Sequence, residues 1–176
     1  RKGGLTAMKV DTLVIGNGAV ALQAALESLD RGESCAVIAP GLSLEQTDWS
    51  GFVKRGGILL KGDRAEAASV SGGKVEWVRS RSLGPDAIVA GSYVLATGRF
   101  YDGGLVADMD RVYEPLFGLD VEYEKDRSKW FDPDFFAPQP FLSFGVRVDA
   151  DGHPSVQGIT VNNLLVKGEI LAGCSR

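Results

Sequence analysis

One short stretch constrains this chain more than any other. Gly16-Asn17-Gly18-Ala19-Val20-Ala21 reads as GxGxxA and stands between an apolar β-branched run and a segment of helical periodicity. Val10 to Ile15 stops at the Gly-Asn-Gly turn, which predicts a buried parallel strand. From Ala19 to Arg31 the residues Val20, Leu22, Ala25, Leu26 and Leu29 recur at helical spacing, and Gly32 supplies the left-handed residue that ends a helix. Cys35 to Ala39 predicts a second buried strand and closes a βαβ unit. Each position of the motif has a physical task. Gly16 permits the tight turn, Gly18 lets a pyrophosphate approach the backbone, and Ala21 is small enough for the helix to pack closely on the sheet. The amides and dipole at the helix start then attract the phosphates. A glycine-rich turn that binds nothing is the alternative, and the strand and helix on either side argue against it. No acid stands at the end of the second strand, where Ala39, Pro40 and Gly41 are found, and Glu45 is the nearest candidate for holding a ribose.

Farther along, Glu45 to Arg55 predicts a short helix ending at Gly56 and Gly57, and Ile58 to Leu60 the next strand. Arg64 to Val70 and Lys74 to Arg81 flank Ser71-Gly72-Gly73 and predict an antiparallel hairpin outside the main sheet. Ala87 to Ala96 is a further apolar strand that leads into Thr97 and Gly98. Arg99 to Pro140 is aromatic and proline-bearing without a clean period, and reads as long surface-folded loops of the kind kept for function. Phe144 to Val148 and Ser155 to Thr160 flank an Asp151-Gly152 turn and predict a second hairpin, and Leu164 to Val166 a last strand ending at Gly168.

Charge and composition exclude several classes. Across 176 residues, 19 basic and 23 acidic side chains are intermixed for a net charge of -4, so there is no basic stripe for nucleic acid. No apolar run approaches the roughly 18 residues of a membrane span, and no secretory leader is evident, so we expect a cytoplasmic protein without direct membrane insertion. Met8 is expected to be the native start, with Arg1 to Ala7 a remnant or a frayed arm. Cys35 and Cys174 lack CxxC spacing, and with a single histidine no metal site is expected. That histidine, His153, is a candidate acid or base, although its place after Asp151-Gly152 favours a solvated turn position. Trp130, Phe131, Phe135, Phe136 and Phe141 are expected to pack beneath loops rather than cover a ligand, and the mixed charges from Glu122 to Arg127 to form a solvated face.

Two later segments extend the opening motif. Tyr93-Val94-Leu95-Ala96-Thr97-Gly98 resembles the strand-ATG element of flavoproteins of the glutathione-reductase type, in which the strand end passes close to the cofactor. Leu164 to Glu169 resembles their third element, which delivers Gly-Asp to the ribityl chain, with Glu169 here in place of the aspartate. The resemblance implies an α/β chain with a Rossmann-like FAD/NAD(P)-binding fold of the glutathione-reductase type, a parallel sheet with added antiparallel β-hairpins. Residues 8–98 would form the dinucleotide-binding βαβ core with its hairpin insertion, 99–157 a loop-rich cap or substrate-side region, and 158–176 the last core strand. The implied cofactor contacts are Gly16, Asn17, Gly18, Ala19, Ala21, Ala96, Thr97, Gly98, Arg99, Gly168 and Glu169. Arg99 is equally compatible with a surface position at a strand end.

A more specific likeness lies in the second half. Residues 98 to 120, GRFYDGGLVADMDRVYEPLFGLD, then Phe135-Phe136-Ala137-Pro138-Gln139-Pro140, Phe144-Gly145-Val146, Pro154-Ser155 and the Asn163 to Gly173 segment resemble the anaerobic glycerol-3-phosphate dehydrogenase B-subunit family, FFAPQP being the most specific part. The resemblance implies a flavin-dependent subunit carrying FAD or FMN, oxidising glycerol 3-phosphate and passing electrons toward quinone. It also implies a companion flavoprotein and an iron–sulfur subunit, through which any membrane association is made. It assigns no catalytic residue. Family members carry a large segment before the helix that ends at Gly56, and they continue past Gly168 into a glycine-rich turn and a helix, so an abridged or incompletely represented chain is expected. Two other readings stay open: a non-catalytic flavin- or nucleotide-binding assembly module, and an NAD-dependent dehydrogenase on the same βαβ unit.

Overall fold

The computed structural model describes residues 7–41, 47–98, 100 and 103–173. The β-branched and apolar runs that bury on both faces become parallel strands, because only a covered strand can be apolar throughout. β1 (Ala7–Ile15) is followed by α1 (Ala19–Asp30), β2 (Cys35–Ala39), the short α2 (Ser50–Lys54) and β3 (Ile58–Lys61). Helix α1 stops where expected, with the Gly32 amide donating to the Leu29 carbonyl and the Glu33 amide to that of Ser28. β4 (Ala65–Ser71), β5 (Lys74–Ser80) and the long β6 (Ala87–Leu95) complete the sheet, in the order β3-β2-β1-β6-β5-β4. β1 pairs in parallel with β2 and β6, and β2 with β3, whereas β4, β5 and β6 pair antiparallel.

The predicted hairpin exists but is not outside the main sheet. One edge of β6 is taken by β1 along its whole length. β5 joins the other edge at Val78↔Ile88 and Arg79↔Ala87, and Val75 and Val78 bury into the core beside it. The far end of that edge is left for a strand arriving much later in the chain.

The stretch after β6 also differs from the expected surface loops. It contains β7 (Val106–Ala107) paired with β8 (Val112–Tyr113), then β9 (Val121–Glu122) and two 3₁₀ turns at Arg127–Lys129 and Pro140–Ser143. Leu105, Val112, Phe117, Leu119 and Trp130 from this stretch are buried in the same cluster as β5 and β6. Its backbone is held by Glu114, whose carboxylate is buried and accepts from the amides of Leu116, Phe117 and Leu119.

The second expected hairpin is replaced by two smaller pairings. β10 (Gly145–Val146) pairs with β9, and β11 (Ser155–Val156) turns back onto β12 (Ile159–Thr160). The two segments that the sequence predicts to pair are approached only by a single bridge, Val148↔Pro154, which ends one residue before Ser155. Carboxylates decide this outcome. Asp149 accepts from the amides of Asp151 and His153 and closes one loop, while Asp120 accepts from the Ser155 hydroxyl and the amides of Gln157 and Gly158 and closes the other.

Finally β13 (Leu164–Val166) runs parallel to β6 with Leu164↔Tyr93, Leu165↔Val94 and Val166↔Leu95, filling the vacant end of its edge. One face of the sheet packs on α1 and α2 through Val14, Ala21, Ala25, Val37 and Phe52; the other carries the larger cluster. The result is a parallel Rossmann-like sheet with antiparallel additions. Among the described residues no helix is long and apolar enough to cross a membrane, and no cluster of metal-ligating side chains occurs.

Candidate functional site

Three parallel strands, β1, β6 and β13, end side by side, and their ends bring together segments far apart in sequence. At the end of β1 the Ala96 amide donates to the Ile15 carbonyl, which sets Gly16 against Ala96. Gly16 has φ +152°, and a Cβ there would collide with the Ala96 carbonyl oxygen and lie 3.2 Å from the Ala21 Cβ. Glycine at 16 and alanine at 21 are therefore what allow the turn, the β6 end and the helix to meet. At the end of β13 the Lys167 amide donates to the Leu95 carbonyl. Gly168, with φ +85°, lies where a Cβ would be 3.5 Å from Val20 on the first turn of α1. Gly16 to Ala21, Ala96 to Gly98 and Gly168 thus form one cluster, and Glu169 follows in the turn after Gly168.

The open start of α1 faces this cluster. Gly18 is its N-cap and offers no side-chain hydrogen bond, and the first turn carries no acidic residue. The first helical amides lack intrahelical partners by geometry, so the helix start presents donors and the positive end of its dipole. A Cβ at Gly18 would meet nothing within 4 Å, which leaves its outer face open for a ligand to approach. Thr97 adds an unexplained group: its Oγ1 is buried beside Gly104 and has no hydrogen-bond partner among the described residues. Buried hydroxyls without partners are rare and call for an explanation such as a ligand. A pyrophosphate-bearing cofactor fits these features.

Asn17 has its side chain committed elsewhere. Its Nδ2 donates to the Pro40 carbonyl at 2.7 Å, and its Oδ1 accepts from Trp49 Nε1 at 2.9 Å. The side chain thereby ties the turn to the end of β2 and to the N-cap of α2, where Trp49 packs edge-on against buried Phe52. Sequence reasoning misses Trp49, because an aromatic just ahead of so short a helix carries no signal of what its indole will bond. Beside Trp49 a cavity of about 480 Å³ opens between α2 and β3, lined in part by Ser50, Lys54 and Lys61.

Other candidates fall away from the cluster. His153 is held through Nδ1 against the Leu164 carbonyl at 2.9 Å, at the start of β13. The strand separates it from Gly168 by on the order of 10 Å. Cys35 is buried in β2, where desolvation pushes its thiol up to about 11, so it is not a thiolate nucleophile. The five aromatics divide: Trp130 is buried and Phe141 partly buried against the core as expected, whereas Phe131, Phe135 and Phe136 are exposed rather than packed beneath loops. Glu45, Arg99 and Cys174 lie outside the described residues.

Residues 50–175 match the family described as FAD binding domain. This chain belongs to that FAD-binding family. The match includes the ends of β6 and β13, and the Gly16 to Ala21 turn precedes it. Curated relatives are named as the B-subunit of anaerobic glycerol-3-phosphate dehydrogenase. One from Pectobacterium atrosepticum is 44% identical over 76% of this chain, and one from Vibrio cholerae is 38% identical over 76%. The chain spans 31% of the length of each of these relatives. A solved structure, the bacillithiol disulfide reductase Bdr from Staphylococcus aureus, superposes with a TM-score of 0.52 at 12% identity, covering 94% of this chain and 90% of that one. At that identity it supports the fold of this FAD-binding chain and nothing further.

Proposed function

We propose that this chain holds the FAD of a flavin-dependent oxidoreductase subunit that oxidises glycerol 3-phosphate and passes electrons toward quinone. The observation that carries the reading is the meeting of three strand ends at an uncapped helix start, in a chain similar to proteins named as a subunit of such a dehydrogenase. In this reading residues 8–98 and 158–176 carry the cofactor, and 99–157 face the substrate side. The backbone of Gly16, Asn17, Gly18 and Ala19 holds the pyrophosphate, and Ala21 keeps α1 close. Ala96, Thr97, Gly98, Gly168 and Glu169 line the path of the remainder of the cofactor, and Arg99 joins them on its place in the sequence. Bound FAD supplies the electron-accepting chemistry, and the chain supplies binding, orientation and electrostatics. A companion flavoprotein and an iron–sulfur subunit complete the assembly and make any attachment to the membrane.

One observation favours a second reading, that the chain is a cofactor-holding module without chemistry of its own. Its lone histidine is bonded to the Leu164 carbonyl at the wrong end of β13, so the described residues bring no histidine to the cluster. Two steps test both. The purified protein, incubated with FAD and desalted, should retain the visible flavin bands and release FAD on denaturation; a colourless protein would remove the first reading and the second together. Anaerobic glycerol 3-phosphate should then bleach the bound flavin once companion subunits are present, and persistent colour would leave only the module.

A further inference from the structure

The most unusual surface on the molecule belongs to the segment that the cofactor site does not use. Phe135 is 87% exposed and Phe136 92%, and their rings meet edge to face at 5.7 Å. Two adjacent phenylalanines in water are ordinarily a feature of mobile chain, but this pair stands on a tightly bonded knuckle. Asp132 accepts from the Asp134 amide, Asp134 accepts from the Phe136 amide, and the Ala137 amide donates to the Asp134 carbonyl. Gln139 closes the loop from inside: its Oε1 accepts from the Asp132 amide, and its Nε2 donates to the carbonyls of Asp134 and Ala137. The base is anchored in the core, since the Phe141 amide donates to the carbonyl of buried Trp130, and Phe131 packs on Phe141 with ring centroids 5.1 Å apart. The sequence of the knuckle is therefore spent on presenting two aromatic rings rigidly to the outside, and rigid aromatic anchors lose little freedom on binding.

We propose that the Phe135–Phe136 knuckle is a docking anchor that inserts into an apolar cleft, rimmed by lysine or arginine, on a companion subunit. The inference rests on the multi-subunit reading given above. Charge favours this occupant over a second copy of the chain or an anionic bilayer. Asp132 and Asp134 flank the rings, and no lysine or arginine stands between Lys129 and Arg147, so the knuckle carries only negative charge. A second copy would bring the same carboxylates face to face. An anionic bilayer repels them as well, since juxtamembrane binding is driven by basic residues. A protein cleft with a basic rim attracts them and gains the apolar area of both rings. Phe131 and Leu142, both partly exposed next to the knuckle's base, extend the apolar surface around it.

The test compares the wild type with the double variant Phe135→Ser/Phe136→Ser and the charge variant Asp132→Asn/Asp134→Asn, in surface-immobilised binding to the purified companion flavoprotein and iron–sulfur subunits. Retained FAD and an unchanged melting temperature show that each variant is folded. The expected result is at least tenfold weaker binding for the phenylalanine variant, and a slower, less salt-sensitive association for the charge variant. Wild-type binding that the phenylalanine change leaves intact overturns the proposal while leaving the multi-subunit reading standing. Failure of the wild type to bind any companion subunit removes that reading and the proposal with it. Two further results would also overturn it: self-association of the wild type that the variant loses, or phenylalanine-dependent sedimentation with phosphatidylglycerol vesicles.

Discussion

The two glycines of the turn proposed to hold the pyrophosphate differ in what they are for, and substitution separates their roles. A Cβ at Gly16 would collide with the Ala96 carbonyl in a backbone conformation unsuited to L side chains. Gly16→Ala should therefore cost on the order of 1–3 kcal/mol of folding stability and weaken FAD binding with it. At Gly18 the backbone is extended and the space around a Cβ is empty. Gly18→Ala should leave stability within roughly 0.5 kcal/mol of the wild type and still weaken FAD binding, because the new methyl group occupies the face a pyrophosphate would approach. Urea unfolding and FAD titration on both variants check this; a Gly18→Ala variant that binds FAD as tightly as the wild type would show that the open face of Gly18 has no role in the cofactor. Glu114 poses a different question at the same scale. Burial pushes its carboxyl above the ordinary glutamate range, outweighing the backbone amides that donate to it and favour its charged form. The folded state then holds this proton more tightly than the unfolded chain does. Its contribution is complete at pH values below the ordinary glutamate range and is lost as pH rises through the elevated value. The stability of the wild type minus that of Glu114→Gln should therefore fall as pH rises above the ordinary glutamate range, as the carboxyl is forced to ionise in the core. A difference that is flat or grows with pH would mean that the amides, not burial, govern this site.

At the scale of elements, one side chain acts as a missing piece of strand. Asn163 Oδ1 accepts from the Val75 amide at 2.8 Å, its Nδ2 donates to the Val75 carbonyl at 2.9 Å, and its own carbonyl accepts from the Tyr93 amide. It therefore clips β5 to the start of β13, where the two share an edge of β6. Asn163→Ala should cost about 1–3 kcal/mol through the unpaired Val75 groups and raise hydrogen exchange at that amide first. Exchange that rises evenly over the whole sheet would refute a local clip. The same region shows what is legible in the sequence. β1, α1, β2, β6 and β13 are readable because each is a continuous apolar run or a helical stripe whose burial follows from its own pattern. The meeting of Gly16, Ala96 and Gly168 is readable because glycine and alanine stand where parallel strands end. β7 to β12 are not, because strands of two residues carry no period, and their partners are chosen by Asp120, Asp149 and Glu114 binding nearby amides. The Asp151-Gly152 turn is real, yet the Asp149 carboxylate closes it into a loop and leaves Phe144 to Val148 free to find β9. The core residues of 105–130 are hidden for the same reason, since apolar side chains spaced irregularly along a loop look like surface until a carboxylate fixes the backbone beneath them.

For the whole molecule, the question is how much cofactor binding resides in a chain that spans 31% of its relatives' length. The described residues bring together the features that the proposed pyrophosphate site needs: an uncapped helix start, an open Gly18 and no competing acid in the first turn. The aromatic bonded to that cluster, Trp49, is buried and turned toward Asn17 and Phe52, Trp130 is buried in the other hydrophobic cluster, and Phe135 and Phe136 point to solvent. Binding energy in this chain should therefore follow the phosphates rather than the flavin ring. FAD and ADP, each at about a hundred times its dissociation constant, should both stabilise the protein by roughly 2.7 kcal/mol and should displace one another. FMN, with a single phosphate, should bind more weakly, and riboflavin should leave the melting temperature unmoved. Added salt should weaken FAD and ADP together, because both are held by charge against a helix dipole near the surface. Riboflavin binding as tightly as FAD, or ADP failing to compete, would place the affinity on the ring and take it away from the turn at Gly16 to Ala21.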